Sequence, residues 1–418
     1  MRTLFKATNL FSNHGIANTL FIVCLCVFTV DRVLNYFIHA PIFVASSLII
    51  IPVIPYFCII KQGGNNPEIL VIISIFALIA IINNLIYEFH IKNISDLSFI
   101  LLFIICYYLY RSHKNHLSTK LPSVFYIISI LLFIVSYFGI ESGSIFTNSI
   151  IDGFSGTKVP KLSWDANSMD EIEVMRSYHQ GFFRVAHIAS YFFGFISLYY
   201  FYLFSKDRRY INLLLSVVAV SFCLYTGSRT FIVAFFISVF LSSLRKKYIV
   251  YSGAMTAIAV MIVLNLKSIL GFIEGTFLYQ YFSLIETVIN NFSRLSRYRI
   301  WYSWYHEVKE FGFVDYLIGK TYYNSHIANA VNLKYPVWFH NDFLNIFYAY
   351  GIICLLLYSA FCYKIYYDNK PFIKNNAIIF VFYFTMLISA FFNGLYYYFP
   401  VFLLFLFFLM LEREKQEG

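Results

Sequence analysis

Long apolar runs, separated by short polar segments, dominate the pattern along this chain. Twelve runs approach the roughly 20 apolar residues that a bilayer-crossing helix needs. They lie near residues 16–31, 42–60, 69–87, 97–110, 121–140, 185–205, 210–226, 230–244, 248–270, 341–363, 377–393 and 395–411. The pattern predicts an all-α polytopic membrane protein of about 12 transmembrane helices, in which residues 1–418 form a single transmembrane domain.

Short Gly-containing turns divide two of the longer apolar stretches. Thr226-Gly227-Ser228 interrupts the stretch from Tyr210 to Leu244, and Asn393-Gly394 separates the last two runs. Since such turn residues favour a reversal of the chain, we expect a tight helical hairpin at each place.

Two long segments, 141–184 and 271–340, lie outside the apolar runs, and we expect both to form loops on the outer side of the membrane. The second contains aromatic and aliphatic residues spaced three or four apart, which predicts one apolar helical face. They are Leu295, Tyr298, Trp301, Trp304, Tyr305, Val308 and Phe311. Because this face carries two Trp, we interpret it as an interfacial helix lying on the membrane.

Composition and charge narrow the class of protein further. The chain is 60% hydrophobic and only 12% charged, whereas soluble domains carry about 25% charged residues. These values exclude a cytosolic enzyme, a DNA-binding module and a disordered scaffold. The net charge of +10 comes from Lys and Arg in short loops, which indicates membrane topology with both termini cytoplasmic and no nucleic-acid partner. The seven cysteines lie in apolar runs without metal-ligand spacing, so neither a metal nor a cofactor is expected.

The apolar runs hold essentially no Asp, Glu, Lys or Arg, which disfavours an ion-coupled transporter. The candidate site residues instead collect on one membrane face. Arg229 lies at a hairpin tip, Arg184 precedes the sixth run, Arg294, Arg297 and Arg299 lie in the second long segment, and His340, Asn341 and Asp342 open the tenth run.

This set suits transfer from a lipid-linked diphosphate. Arginine binds phosphate oxygens through two charge-assisted hydrogen bonds. Histidine titrates near neutral pH, so His340 could act as a general base toward an acceptor hydroxyl. Structural roles stay open for the same residues: Arg184 and Arg229 could anchor helix ends at the interface, and Asn341 is a natural residue at a helix start.

Three motifs resemble one family in their order and spacing. They are Thr226-Gly227-Ser228-Arg229-Thr230, then Arg299-Ile300-Trp301 with Gly312 and Leu317-Ile318-Gly319, and His340-Asn341-Asp342-Phe343-Leu344 with Gly351. With them the chain resembles bacterial O-antigen polymerases of the Wzy type and the related O-antigen ligase-like proteins.

The resemblance implies a metal-independent glycosyltransferase of the bacterial inner membrane with two long periplasmic loops. A polymerase of this family transfers a growing glycan from undecaprenyl diphosphate onto a lipid-linked repeat unit during lipopolysaccharide biosynthesis. Arg229 and Arg299 would then hold the diphosphate, with Arg184, Arg297 and Asn341 as further substrate-binding residues and His340 as the catalytic residue. The implied partners are undecaprenyl-diphosphate-linked oligosaccharide, membrane lipid, and a chain-length regulator and flippase of the same pathway.

Two alternatives remain open. An O-antigen ligase would transfer the finished glycan to lipid A–core, and it would use the same cationic and imidazole groups. A flippase or exporter of lipid-linked oligosaccharide would instead need a cationic cavity along its helices. The collection of charges at one outer face favours the enzyme over the exporter, and the aromatic, divergent spans favour the polymerase over the ligase.

Overall fold

The structure, a computed structural model, describes residues 67–112, 157–163, 172–178, 186–226, 230–244, 249–274, 279–290, 295–333, 337–396, 402, 405–406 and 409. The helices in order are α1 (Pro67–Ile86), α2 (Ile91–Ser112), α3 (Ala186–Asp207), α4 (Tyr210–Tyr225), α5 (Thr230–Ser243), α6 (Ile249–Leu264), α7 (Leu266–Phe272), α8 (Tyr279–Asn290), α9 (Ser296–Val308), α10 (Phe313–Ile318), α11 (Tyr322–Leu333), α12 (Asp342–Asp368), α13 (Lys370–Asn375) and α14 (Ala377–Phe392).

The described residues are mainly helical, which confirms the helical fold class. The one departure is an antiparallel hairpin of β1 (Thr157–Ser163) and β2 (Ile172–Tyr178), with Thr157 opposite Tyr178. It falls within the segment 141–184, where the apolar periodicity gave no signal for a strand.

Eight of the twelve apolar runs correspond to described helices, and the run at 248–270 is divided into α6 and α7 at Asn265. The predicted breaks are present: α4 ends at Tyr225 before α5 begins at Thr230, and α14 ends at Phe392. The runs at 16–31, 42–60 and 121–140 and most of 395–411 lie outside the described residues.

One described helix, Asp342–Asp368, is long and apolar enough to cross a membrane by length and composition. Four more apolar helices are shorter, at Val71–Ile86, Tyr210–Leu224, Thr230–Ser243 and Ala377–Phe392. Twelve spans and cytoplasmic termini therefore stay predictions.

The described residues fall into two compact units. The first contains α1 to α3, most of α4, and the residues from Leu395 onward. Its core is aromatic, with the ring centres of Phe103 and Phe402 4.1 Å apart.

The first unit also holds a buried carboxylate, that of Asp96 in α2. It accepts a hydrogen bond from the Tyr396 hydroxyl at 2.9 Å. Asp96 lies one position before the predicted apolar run at 97–110, so the helix extends beyond that run across an acidic residue.

The second unit contains the hairpin and the chain from Cys223 to Gly394. In it α5 packs along α14, α9 packs on α11, and α10 packs against α12. A small core joins α9 to the start of α12, with Ile300, Val308 and Phe311 packed around Phe347 and Tyr348.

Helix α12 is interrupted at Gly351, where φ is 76° and ψ is −175°. The break frees carbonyl groups that a continuous helix would bond internally. The backbone N–H of Lys320, just after α10, donates to the carbonyl oxygen of Tyr348 at 2.7 Å. Buried protein can accommodate non-helical backbone in this way because it supplies the missing hydrogen-bond partners.

Helix α9 presents two neighbouring faces instead of the single stripe that the sequence predicts. Trp304 and Val308 pack toward α12, whereas Tyr298, Tyr302 and Tyr305 are 37%, 51% and 59% exposed. A helix turns by about 100° per residue, so Tyr305 lies within about 20° of Tyr298 around the helix axis, whereas Trp304 and Val308 lie about 80–120° away from it. The sequence pattern could not separate these two groups.

Candidate functional site

Three segments of the second unit come together around the residues that open α12. They are helix α9, the stretch from Trp338 to Asp342, and the turn that follows α14. The sequence predicts chemistry in the first two segments and only a chain reversal in the third.

The contact between α9 and the end of α14 is a hydrogen bond from Arg297. Its Nη2 donates to Oδ1 of Asn393 at 2.7 Å, and Asn393 is fully buried at the C-terminus of α14. One turn farther along α9, the ring of Trp301 lies 6.2 Å from the ring of Phe392, with 29° between their planes. These two contacts fix the position of the Arg297 guanidinium relative to the turn.

The next residue, Gly394, joins this turn to the start of α12. It adopts φ +78°, and a Cβ atom there would overlap the ring of Trp338 and come within 2.6 Å of Asp342 Oδ1. Only glycine meets both the dihedral and the space requirement. The Asn393-Gly394 pair therefore brings Arg297 and the residues around His340 into one cluster.

His340 has a left-handed backbone, with φ 53°. Positive φ is uncommon for residues other than glycine, although histidine and asparagine adopt it more readily than most. The imidazole is half-buried, and its ring centre lies 5.0 Å from that of Trp338. Backbone conformations of this kind are concentrated at functional sites, where surrounding contacts hold them in place.

Asn341 and Asp342 are both engaged within α12. The Asn341 side chain is the N-cap of the helix and accepts from the backbone N–H of Leu344 at 3.1 Å. Asp342 is fully buried, and its Oδ2 accepts from the Tyr358 hydroxyl at 2.7 Å. The cap is the structural role that the sequence left open for Asn341 beside substrate binding.

The six predicted site residues divide into three groups. His340, Asn341 and Arg297 belong to the cluster. Arg299 is half-buried on the same helix as Arg297, but a separation of two residues turns it by about 200° to the opposite side of α9. Arg184 and Arg229 lie outside the described residues.

The sequence did not predict three members of the cluster as site residues. They are Tyr358, Asn393 and Gly394. Tyr358 lies 16 positions from its partner and reads as one more aromatic residue in an apolar run. The Asn-Gly pair was the available signal, since this dipeptide marks a position where the chain needs positive φ.

Arg297 gives the cluster hydrogen-bond donors for an anion. Within the part of the chain that the structure describes, no group of three or more His, Cys, Asp or Glu side chains is placed to hold a metal ion. Arg297 can bind phosphate oxygens, and the half-buried imidazole of His340 can exchange a proton with a bound hydroxyl.

No protein family matches the chain, and neither a curated protein nor a solved structure matches it. The function therefore has to be inferred from the residues of the cluster and from the motifs in the sequence.

Proposed function

We propose that this chain is a membrane-embedded, metal-independent glycosyltransferase that polymerises a bacterial surface polysaccharide. Its substrate is a glycan carried on undecaprenyl diphosphate, and its acceptor is a lipid-linked repeat unit, as in O-antigen polymerases. The observation that carries the proposal is the cluster in which Arg297 contacts the Asn393-Gly394 turn that packs on Trp338 and Asp342, beside His340.

The proposed location is the bacterial inner membrane, with about twelve spans and both termini in the cytoplasm. Large aliphatic side chains support contact with lipid, because they are exposed along the helix surface of α6. Ile258, Met261 and Leu264 are 60%, 61% and 75% exposed there. A soluble protein rarely leaves such a contiguous apolar surface uncovered.

The reaction is a displacement at the anomeric carbon of the donor glycan. The acceptor hydroxyl oxygen forms a bond to that carbon while the bond from the carbon to the phosphate oxygen breaks. The imidazole of His340 takes the hydroxyl proton as general base. Undecaprenyl diphosphate leaves with the electron pair of the broken bond, and it retains the added negative charge.

Arg297 supplies electrostatic stabilisation of that leaving group. A fixed guanidinium helps most when it is positioned before the charge develops, and the hydrogen bond to Asn393 provides this positioning. Arg184 and Arg229 are proposed as further diphosphate contacts from the sequence motifs, whereas Arg299 lies on the opposite side of α9 from Arg297 and is left out.

An O-antigen ligase is the alternative within the same chemistry, since only the acceptor differs. A flippase or exporter of lipid-linked oligosaccharide is the alternative of another class. The buried carboxylates of Asp96 and Asp342 favour the exporter, because ionisable groups inside membrane helices often mark transport pathways. Each of them, however, already accepts a hydrogen bond from a tyrosine hydroxyl.

Deletion of the gene separates these functions by the glycans that remain. Loss of a polymerase leaves lipid A–core capped with one repeat unit, and loss of a ligase leaves uncapped core with lipid-linked polymer. Loss of a flippase leaves repeat units on the cytoplasmic side. We expect single-repeat caps in the deletion strain, restored to long chains by the wild-type gene but not by Arg229→Ala or His340→Ala variants of normal abundance. Long chains in either variant would contradict the site.

A further inference from the structure

Two tryptophans on α9 differ in what their indole N–H groups contact. The Nε1 of Trp304 donates to the backbone carbonyl of Leu344 at 3.0 Å. The Nε1 of Trp301 is shielded from solvent, yet it has no hydrogen-bond acceptor among the residues that the structure describes. The first N–H joins α9 to α12, and the second makes no such bond to a described residue.

A buried donor without an acceptor is unfavourable, because it has given up its hydrogen bonds to water without replacement. Such atoms are few in folded proteins, and each calls for an explanation. One explanation is a ligand that brings its own acceptor to the site when it binds.

The position of Trp301 indicates which ligand. Residues four apart on a helix are neighbours on one face, so Trp301 lies directly beside Arg297. Its ring packs on Phe392, next to the Asn393 side chain that accepts from Arg297. The indole N–H therefore belongs to the same cluster as the guanidinium.

The chemistry of the two groups is complementary to an anion. Indole Nε1–H is only a donor, and guanidinium offers only donors. A neutral sugar hydroxyl could accept from these donors as well, but it carries no charge to complement the guanidinium. A phosphate oxygen accepts from both, and these charge-assisted bonds are stronger than neutral ones.

We propose that the indole N–H of Trp301 donates a hydrogen bond to a diphosphate oxygen of the polyprenyl-linked substrate, alongside Arg297. This inference rests on the proposed function and assigns it a further binding residue. The N–H takes its acceptor only in the substrate-bound state.

Two matched substitutions separate the binding role from a structural one. Trp301→Phe keeps an aromatic ring against Phe392 and removes the N–H together with part of the indole ring system. We expect weaker substrate binding, with a smaller loss of thermal stability than in Trp304→Phe. Trp304→Phe removes the donor to Leu344, so we expect lower thermal stability without a specific loss of diphosphate affinity.

The direct test is NMR of the full chain in nanodiscs with ¹⁵N-labelled indoles, titrated with undecaprenyl diphosphate. The chain has four tryptophans, and Trp→Phe variants assign their Nε1–H resonances. We expect the Trp301 resonance to move downfield on titration while that of Trp304 stays in place. We also expect Trp301→Phe to weaken binding on the order of tenfold, the size of one hydrogen bond to a charged group.

Three other outcomes contradict the inference in different ways. If undecaprenyl diphosphate binds but the Trp301 resonance and the Trp301→Phe affinity are unchanged, the inference is wrong and the proposed function stands. If undecaprenol without the diphosphate causes the same shift, the N–H does not contact phosphate. If the wild type binds no undecaprenyl diphosphate at all, the proposed function fails and the inference with it.

Discussion

Gly319 and Gly351 lie backbone against backbone, and each adopts φ 76°. A Cβ atom on Gly319 would come within 2.5 Å of the Gly351 nitrogen, and one on Gly351 would overlap the backbone of Leu317 and Ile318. The end of α10 thus fits into the break in α12. This contact sets the direction of the first part of α12, the part that His340 precedes.

Substitution of either glycine should therefore destabilise the second unit. Gly319→Ala and Gly351→Ala each add an overlapping methyl group and impose positive φ on a residue with a side chain. We expect the free energy of unfolding to fall by at least about 1–3 kcal/mol, seen as a lower Tm in detergent. Gly271→Ala is the control, because a Cβ there meets nothing within 4 Å, and wild-type Tm in all three variants would argue against the contact.

A side chain at Gly394 should be as destabilising as one at Gly319 or Gly351, and it should also disturb the cluster directly. In Gly394→Ala the new methyl group would push against Trp338 and Asp342. We expect a drop in stability of about 1–3 kcal/mol together with loss of chain elongation. Gly253→Ala in α6 is the matched control, since no atom lies within 4 Å of its Cβ position and alanine favours the helix by about 0.5–1 kcal/mol. An active Gly394→Ala protein would show that the turn does not shape the site.

The Tyr358 hydroxyl should stabilise the buried carboxylate of Asp342. Tyr358→Phe removes the donor at 2.7 Å and leaves the acceptor buried, which costs about 1–3 kcal/mol. Chemical denaturation in detergent measures this loss. Tyr367→Phe on the same helix is the control, because that residue is 60% exposed; equal effects of both substitutions would mean that the pair contributes nothing particular.

Asn341 tests whether a predicted substrate contact is a helix cap. Ser retains an oxygen that can accept from the Leu344 N–H, whereas Ala does not, so Asn341→Ala should lose about 1 kcal/mol and Asn341→Ser much less. Elongation by both variants, assayed at a temperature where both are folded, should remain near wild type. Activity lost equally in the Ser and Ala variants would instead assign the Asn341 amide to the substrate.

The helices could be predicted from the sequence because their signal is local. Apolar runs of fitting length and the Gly-containing turns mark α4, α5 and α14 within a few residues. The break in α12 could not be predicted in the same way, since Gly351 lies inside an unbroken apolar run. The break depends on the backbone N–H of Lys320, some thirty residues earlier, which donates to the freed Tyr348 carbonyl. A local sequence pattern does not indicate so distant a partner.

The site shows the same division between local and distant information. His340 and Arg297 stand out by residue type at a predicted membrane face, so both could be proposed from the sequence. The connection between them runs through Asn393 and Gly394. Asn393, which accepts the hydrogen bond from Arg297, lies 96 positions from it in the sequence. The two tryptophans of α9 have the same sequence pattern, and only their contacts separate the bonded indole of Trp304 from that of Trp301.

Chain elongation by the purified protein in nanodiscs, supplied only with undecaprenyl-diphosphate-linked repeat units, tests the central claim most directly. His340→Asn is the informative variant, because asparagine accepts positive φ but lacks the imidazole, and Arg297→Ala removes the guanidinium. We predict polymer and released undecaprenyl diphosphate from the wild type, and a loss of at least about 100-fold in rate in His340→Asn, the usual effect of a general base. No polymer from the folded wild type, or wild-type rates in both variants, would contradict the account.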